Sequence, residues 1–193
     1  MKDSTSMSTR DLVLISLFAA IIAALGLLPP ITLGVFPVPI TAQSMGVMLA
    51  GVILGAKRGV LAVALTILIA AIGLPILSGG RGGLSIFYTP TTGYLIGWLF
   101  AVYTTGIIAE KYVSTRQSSF TQFATLFAAA TLGGIVVLYA FGISYLAVAA
   151  GIGFSKAFFG SMAFIPGDLL KAALAALAGR AVLAGYPLLP RRA

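Results

Sequence analysis

Apolar runs separated by a few charged, glycine or proline breaks set the pattern of this chain. The first run extends from about Leu12 to Leu28, where Pro29-Pro30 ends it. A charge-free, proline-rich linker, PPITLGVFPVPIT, follows. A second run covers about Ala42–Ala56 and stops at Lys57-Arg58. A third covers about Gly59–Ile72, until GLPILSGGRGG breaks it with glycine and proline. The fourth begins near Pro90, a residue suited to the first turn of a helix, and continues to about Ala109. The fifth starts near Phe120 and reaches at least Phe141, and the sixth runs from Pro166-Gly167-Asp168 to near Ala184.

A membrane crossing needs about 20 apolar residues, so these runs predict six transmembrane helices, the second and third short for a full crossing. The stretch 142–165 is apolar but rich in glycine. It predicts the end of the fifth span and then a loop or short helix folded back on the bundle, since irregular backbone at membrane depth must be protein-buried or line a cavity. The expected fold is an all-α integral membrane protein, a single six-helix domain over 1–193. Residues 1–10 form a short N-terminal tail and 186–193 a basic C-terminal one. The N-terminal segment has a superficial likeness to a signal peptide. With no convincing small-residue cleavage site, and with equally apolar runs after it, it is expected to be a retained first helix.

Composition fits the pattern. Sixty per cent of the residues are apolar and 8% charged, against roughly 25% charged in soluble domains, and mean hydropathy is +1.10. The formal charge of +8 comes from twelve Lys and Arg. They stand singly or in pairs, without the basic stripe that nucleic-acid binding requires. With six spans, Lys2, Arg10, Lys57, Arg58, Lys111, Arg116, Arg180, Arg191 and Arg192 fall on one side, and Arg81, Lys156 and Lys171 on the other. That asymmetry predicts cytoplasmic termini. Cysteine and histidine are absent, which removes disulfides, thiol nucleophiles and most metal and haem ligands. No metal, cofactor or catalytic residue is expected. No phosphate-loop motif occurs, so the chain does not itself use ATP.

The outer side carries the candidate chemistry. Asp168 is one of four acidic residues and shares a helix face with Lys171, three places on. It could simply cap the helix, and Lys171 could snorkel to the interface. Ionisable groups at the edge of a span are nonetheless functional candidates. Arg81, between glycines in SGGRGG, adds a second cation. Asp168, Lys171 and Arg81 together carry a net charge of +1, which suits a small monoanion with polar N–H and C=O groups and a carboxylate. Phe36, Phe87, Tyr88 and Tyr94 lie near in sequence, and of these Tyr88 and Tyr94 are candidate ligand contacts, though an interfacial aromatic belt would also account for Tyr88.

Three segments carry a resemblance: VPITAQSMGVMLAGVILGAKRG (38–59), GGRGGLSIFYTPTTGYLIGW (79–98) and FIPGDLLKAALAA (164–176). The chain resembles the BioY family, the biotin-specific substrate-binding S components of energy-coupling factor (ECF) transporters, over nearly its whole length from the first span. Where members commonly have Pro-Thr-Gly-Gly-Tyr, Thr92 replaces a glycine. The resemblance implies six helices, a pocket open to the outside of a bacterial or archaeal cytoplasmic membrane, and biotin as the ligand. It implies that Asp168 and Lys171 are the polar pair that holds biotin, with Asp168 accepting a ureido N–H. Whether Lys171 meets the ureido carbonyl or the carboxylate stays open. Arg81 is placed for the carboxylate, and Thr41 and Gln43 for further hydrogen bonds.

Ala19 and Ala23, and beside them Ala20 and Ala24, lie four residues apart on the first span, a spacing that lets a second helix approach closely. Packing within the bundle is one use of such residues. In S components the matching Ala-x-x-x-Ala face docks the coupling membrane subunit, so the resemblance implies that partner and two cytoplasmic ATPases. Gly51/Gly55 and Gly93/Gly97 share the spacing and are expected to pack spans together. The alternatives are an S component for another small anionic vitamin, a stand-alone facilitated biotin transporter, an intramembrane enzyme, and a pore or structural subunit. The enzyme lacks a second acid–base residue near the Asp–Lys pair, and the pore lacks polar residues along several spans.

Overall fold

The computed structural model describes residues 7–34 and 36–189. Lys2, Arg191 and Arg192, which entered the charge argument, lie outside the described residues.

Ser8 starts the first helix, α1 (Thr9–Gly26), through a reciprocal cap: its hydroxyl accepts from the Asp11 N–H at 3.2 Å and the Asp11 carboxylate accepts from the Ser8 N–H. Helix α2 (Gln43–Ala71) contains both the second and third predicted spans. It is not one straight rod. A continuous helix of its 29 residues would separate its ends by about 42 Å. The Gln43 side chain nevertheless bonds the carbonyl of Ile76 at 3.0 Å, and the five residues beyond Ala71 reach only about 17 Å. The chain reverses at Gly55, whose φ of 82° and ψ of −172° are non-helical, so limbs 43–54 and 56–71 lie side by side. The pair Lys57-Arg58 therefore sits just past a turn, as its polarity requires.

A glycine-rich loop with an antiparallel bridge between Leu77 and Arg81 leads through a 3-10 turn (Leu84–Tyr88) to α3 (Thr92–Tyr112). Thr92 is buried and joins the two, its hydroxyl donating to the carbonyls of Thr89 at 2.7 Å and Ile86 at 3.0 Å. Helix α4 (Ser119–Thr131), capped by Ser118, continues through a π-helical stretch (Leu132–Val137) into α5 (Leu138–Ala149). The predicted fold-back in 142–165 is α6 (Gly153–Met162), which meets α7 (Ile165–Gly185) at a 53° bend. Pro166 fits the first turn of α7 because its missing N–H has no partner there in any case.

By length and composition, α1, α2, α3 and the continuous stretch from Ser119 to Ala149 are able to cross a membrane, and α6 with α7 makes a fifth candidate if the bent pair counts as one span. Val13, Leu17, Leu68, Phe100, Val136 and Leu174 point outward, as a lipid-facing surface allows. Small residues bring the helices together: Gly93 and Gly97 pack against α5, and Gly106 against the backbone of Gly55 and Ala56. Gly51 packs as expected, against Thr105, and Gly55 also lies against α3 at Gly106 and Glu110 while serving as the turn residue.

The two ends of the bundle differ in character. At one end Arg58 pairs with Asp11 at 2.9 Å and donates to the Leu188 carbonyl at 2.9 Å, while Arg10 lies over the Tyr186 ring. The α2 turn is held there by Glu110, which accepts from the Ala56 N–H at 2.7 Å. The other end gathers the linker 27–42, the loop 72–83 and α6.

Candidate functional site

Between the linker, the loop and the ends of α2, α3, α5 and α7 nearest them lies a cavity with about 720 Å³ of empty space, its mouth included. Trp98, Leu95, Leu138, Ile86, Phe164 and Val38 make its walls largely apolar. Its polar groups converge from five segments that are distant in sequence.

Asp168 stands in the first turn of α7, yet it does not cap the helix. Phe164 occupies the cap position with no side-chain bond, and the Asp168 carboxylate turns inward, 5% exposed. One oxygen accepts from the Tyr139 hydroxyl at 2.7 Å and the other from the Lys171 ammonium at 2.8 Å. Lys171 does not snorkel. It also donates to the Thr41 carbonyl at 2.7 Å and the Ser44 hydroxyl at 3.0 Å, which fills the three donors of an ammonium group. The Asp168 carboxylate, which lines the cavity, keeps acceptor capacity beyond these two bonds.

Arg81 joins the lining from the loop 72–83. Its Nε donates to the Ser78 carbonyl at 3.1 Å and one Nη to the Thr91 hydroxyl at 2.7 Å. That uses two of its five N–H donors. Burial pulls its pKa below the usual arginine value, but a guanidinium stays charged at physiological pH. The cavity thus holds two cations and one carboxylate, with the anion paired to the nearer cation and Arg81 set apart from them. Tyr94 shares a hydrogen bond of 2.9 Å with Ser161 of α6 and packs edge-on against Tyr139.

Six of the seven predicted ligand residues therefore meet around one cavity: Asp168, Lys171, Arg81, Thr41, Gln43 and Tyr94. Tyr88 does not join them; it is 86% exposed. The Gln43 amide is engaged with backbone groups of Ile22, Ile76 and Ser78. Among the predicted partner residues, Ala19 is buried inside the bundle and Ala23 half-buried, whereas Ala20 and Ala24 face outward. The helix is rotated so that Ala19 contacts its own chain, which corrects its place on an outer docking face. Tyr139, Ser44, Ser78, Thr91, Trp98 and Ser161 escaped the sequence reading. Trp98 did carry a signal, because it stands inside an apolar run and away from its ends, where interfacial aromatics belong.

Comparison with known proteins gives this arrangement its relatives. The BioY family model matches residues 1–188. The biotin transporter BioY of Rhizobium etli is 67% identical over 187 residues, covering 97% of this chain and all of that protein. The biotin transporter BioY of Rhodobacter capsulatus is 49% identical, over 90% of this chain and 93% of its own length. Among solved structures, the S component for biotin from an ECF-type ABC transporter superposes with a TM-score of 0.83 at 33% identity, covering 92% of this chain and 94% of that one. The chain belongs to the BioY family.

Proposed function

We propose that this chain is the biotin-binding membrane subunit of a vitamin uptake system in the bacterial cell membrane. The observation that carries the reading is a largely apolar cavity with a buried Asp168–Lys171 pair on one wall and Arg81 on another. Biotin has a ureido head that donates N–H groups, an apolar ring and chain, and a terminal carboxylate. Asp168 accepts a ureido N–H, and the remaining N–H groups of Arg81 receive the carboxylate. Lys171, whose donors are filled within the protein, acts by holding Asp168 and the Thr41 backbone in place. Calorimetric titration of detergent-purified protein with biotin, riboflavin and thiamine tests this. Saturable binding of biotin alone is expected. A folded protein that ignores biotin would defeat the assignment.

Tyr139 supports the carboxylate from the far side. A buried hydrogen bond to a charged group contributes about 1.5–3 kcal/mol. Tyr139→Phe is therefore expected to weaken biotin binding by about tenfold to a hundredfold, with the fold intact by circular dichroism. Unchanged affinity would remove Tyr139 from the site.

In the proposed topology each limb of α2 counts as one crossing, with α1, α3, the α4–α5 stretch and α7 as the others, giving six. The termini, the α2 turn and the 110–118 connection then face the cytoplasm with their Lys and Arg, which the excess of cations on that side supports. The uptake energy comes from an ECF coupling membrane subunit and two cytoplasmic ATPases. The coupling subunit meets α1 on its outward Ala20 and Ala24, where small side chains let a helix approach closely. Ala20→Leu with Ala24→Leu is expected to leave biotin titration unchanged while abolishing co-purification with the coupling subunit. Retained co-purification would place the contact elsewhere.

A further inference from the structure

We infer that Gln43 is a positioning residue for Arg81, tying the loop that carries the arginine to the end of α1. The loop 72–83 contains five glycines, and four of them adopt positive φ, so its own sequence gives it little rigidity. Its C-terminal end is tied back by the Gly83 N–H, which donates to the Ala70 carbonyl at 2.7 Å, and its middle is held chiefly by one buried side chain. The Gln43 Nε2 donates to the carbonyls of Ile22 at 3.1 Å and Ile76 at 3.0 Å, and its Oε1 accepts from the Ser78 N–H at 2.8 Å. Both amide donors are used, and the side chain is 1% exposed. Gly26 leaves room for this junction: a Cβ there would lie 2.6 Å from the Gln43 amide nitrogen and fall on the Ile76 carbonyl.

The bonds then run on without interruption. Ser78, held through its N–H by Gln43, offers its carbonyl to the Arg81 Nε at 3.1 Å. The bridge between Leu77 and Arg81 closes the same turn with two bonds of 3.0 Å, and the arginine reaches Thr91 at the start of α3. Gln43 therefore connects α1 to the guanidinium through a single residue of the loop. Removing its amide leaves the Ser78 N–H and the Ile76 carbonyl buried without partners, and the loop is free to leave the orientation that points Arg81 into the cavity.

The absence of cysteine makes a direct test straightforward. A single cysteine at Leu74, an exposed position in the loop, carries a nitroxide whose spectrum is recorded without biotin. Biotin affinity, which rests on the proposed function, is measured in parallel for Gln43→Met, Arg81→Ala and the double variant. Gln43→Met is expected to mobilise the label and to weaken biotin by about tenfold or more, with the double variant binding no worse than Arg81→Ala alone. An immobile label in Gln43→Met, or losses in the double variant that multiply, would overturn the proposal. If Arg81→Ala binds biotin normally, the carboxylate role of Arg81 is what fails, and the label spectrum alone decides the role of Gln43. Should Gln43→Met not purify folded, Gln43→Glu is judged by the same outcomes, since it keeps the acceptor for Ser78 but loses both donors.

Discussion

Asp168→Asn is expected to weaken biotin binding by about tenfold to a hundredfold, because a hydrogen bond to a charged group contributes about 1.5–3 kcal/mol and each 1.4 kcal/mol is a factor of ten. The asparagine has one acceptor oxygen where the carboxylate had two. Its amide cannot satisfy Tyr139, Lys171 and a ureido N–H together. It also strands the Lys171 ammonium among the Thr41 carbonyl and the Ser44 hydroxyl with no counter-charge. The same variant should therefore melt at a lower temperature, and a loss of affinity alone would not separate ligand contact from general damage. The double variant Asp168→Asn with Lys171→Met makes that separation, since it buries no unpaired charge. Its melting temperature is expected to exceed that of Asp168→Asn while biotin binding stays lost. Biotin binding restored in the double variant would mean that the pair is structural and that the ligand is held by other groups.

The Asp168–Lys171 pair was legible in the sequence because two charges three residues apart in an apolar run have few uses. Its partners were not. Tyr139 lies 29 residues from Asp168 on another helix and carries no charge, so nothing in its local sequence pairs it with the carboxylate. Gln43 was legible as a polar residue at the head of a span. That its amide serves the backbone became visible only once the chain reversed at Gly55 and brought Ile76 and Ser78 back beside it. The alanines of α1 show a similar limit. When nearly every residue of a helix is apolar, the pattern does not say which face turns inward, and adjacent alanines such as Ala19 and Ala20 differ by about 100° of rotation. The six apolar runs themselves needed no such information, since their ends are marked by proline, glycine and charge.

Gly55→Val is expected to prevent recovery of folded protein from the membrane, and Gly55→Ala to lower the melting temperature sharply. Two separate causes act at this residue. Its φ of 82° with ψ of −172° belongs to a region used almost only by glycine, and forcing another residue into it costs on the order of 1–3 kcal/mol. In addition, a Cβ at Gly55 would fall on the Glu110 carboxylate oxygen that accepts from the Ala56 N–H, so the substitution displaces the group that starts the second limb of α2. Little room is left for a shift, because Gly106, one turn from Glu110 on α3, already lies against the backbone of Gly55 and Ala56. The consequence reaches the opposite end of the bundle. Only a tight reversal here returns the chain so that Gln43 and Ser44 at the head of one limb stand beside the loop that follows the other, and a looser turn would separate Arg81 from the Asp168–Lys171 pair. Any Gly55→Ala protein that does fold should thus bind biotin more weakly. Gly185→Ala is the control, because a Cβ there meets nothing within 4 Å; it should melt and bind like the parent. A Gly55→Ala protein that melts with the parent would mean that the chain does not reverse through a conformation reserved for glycine.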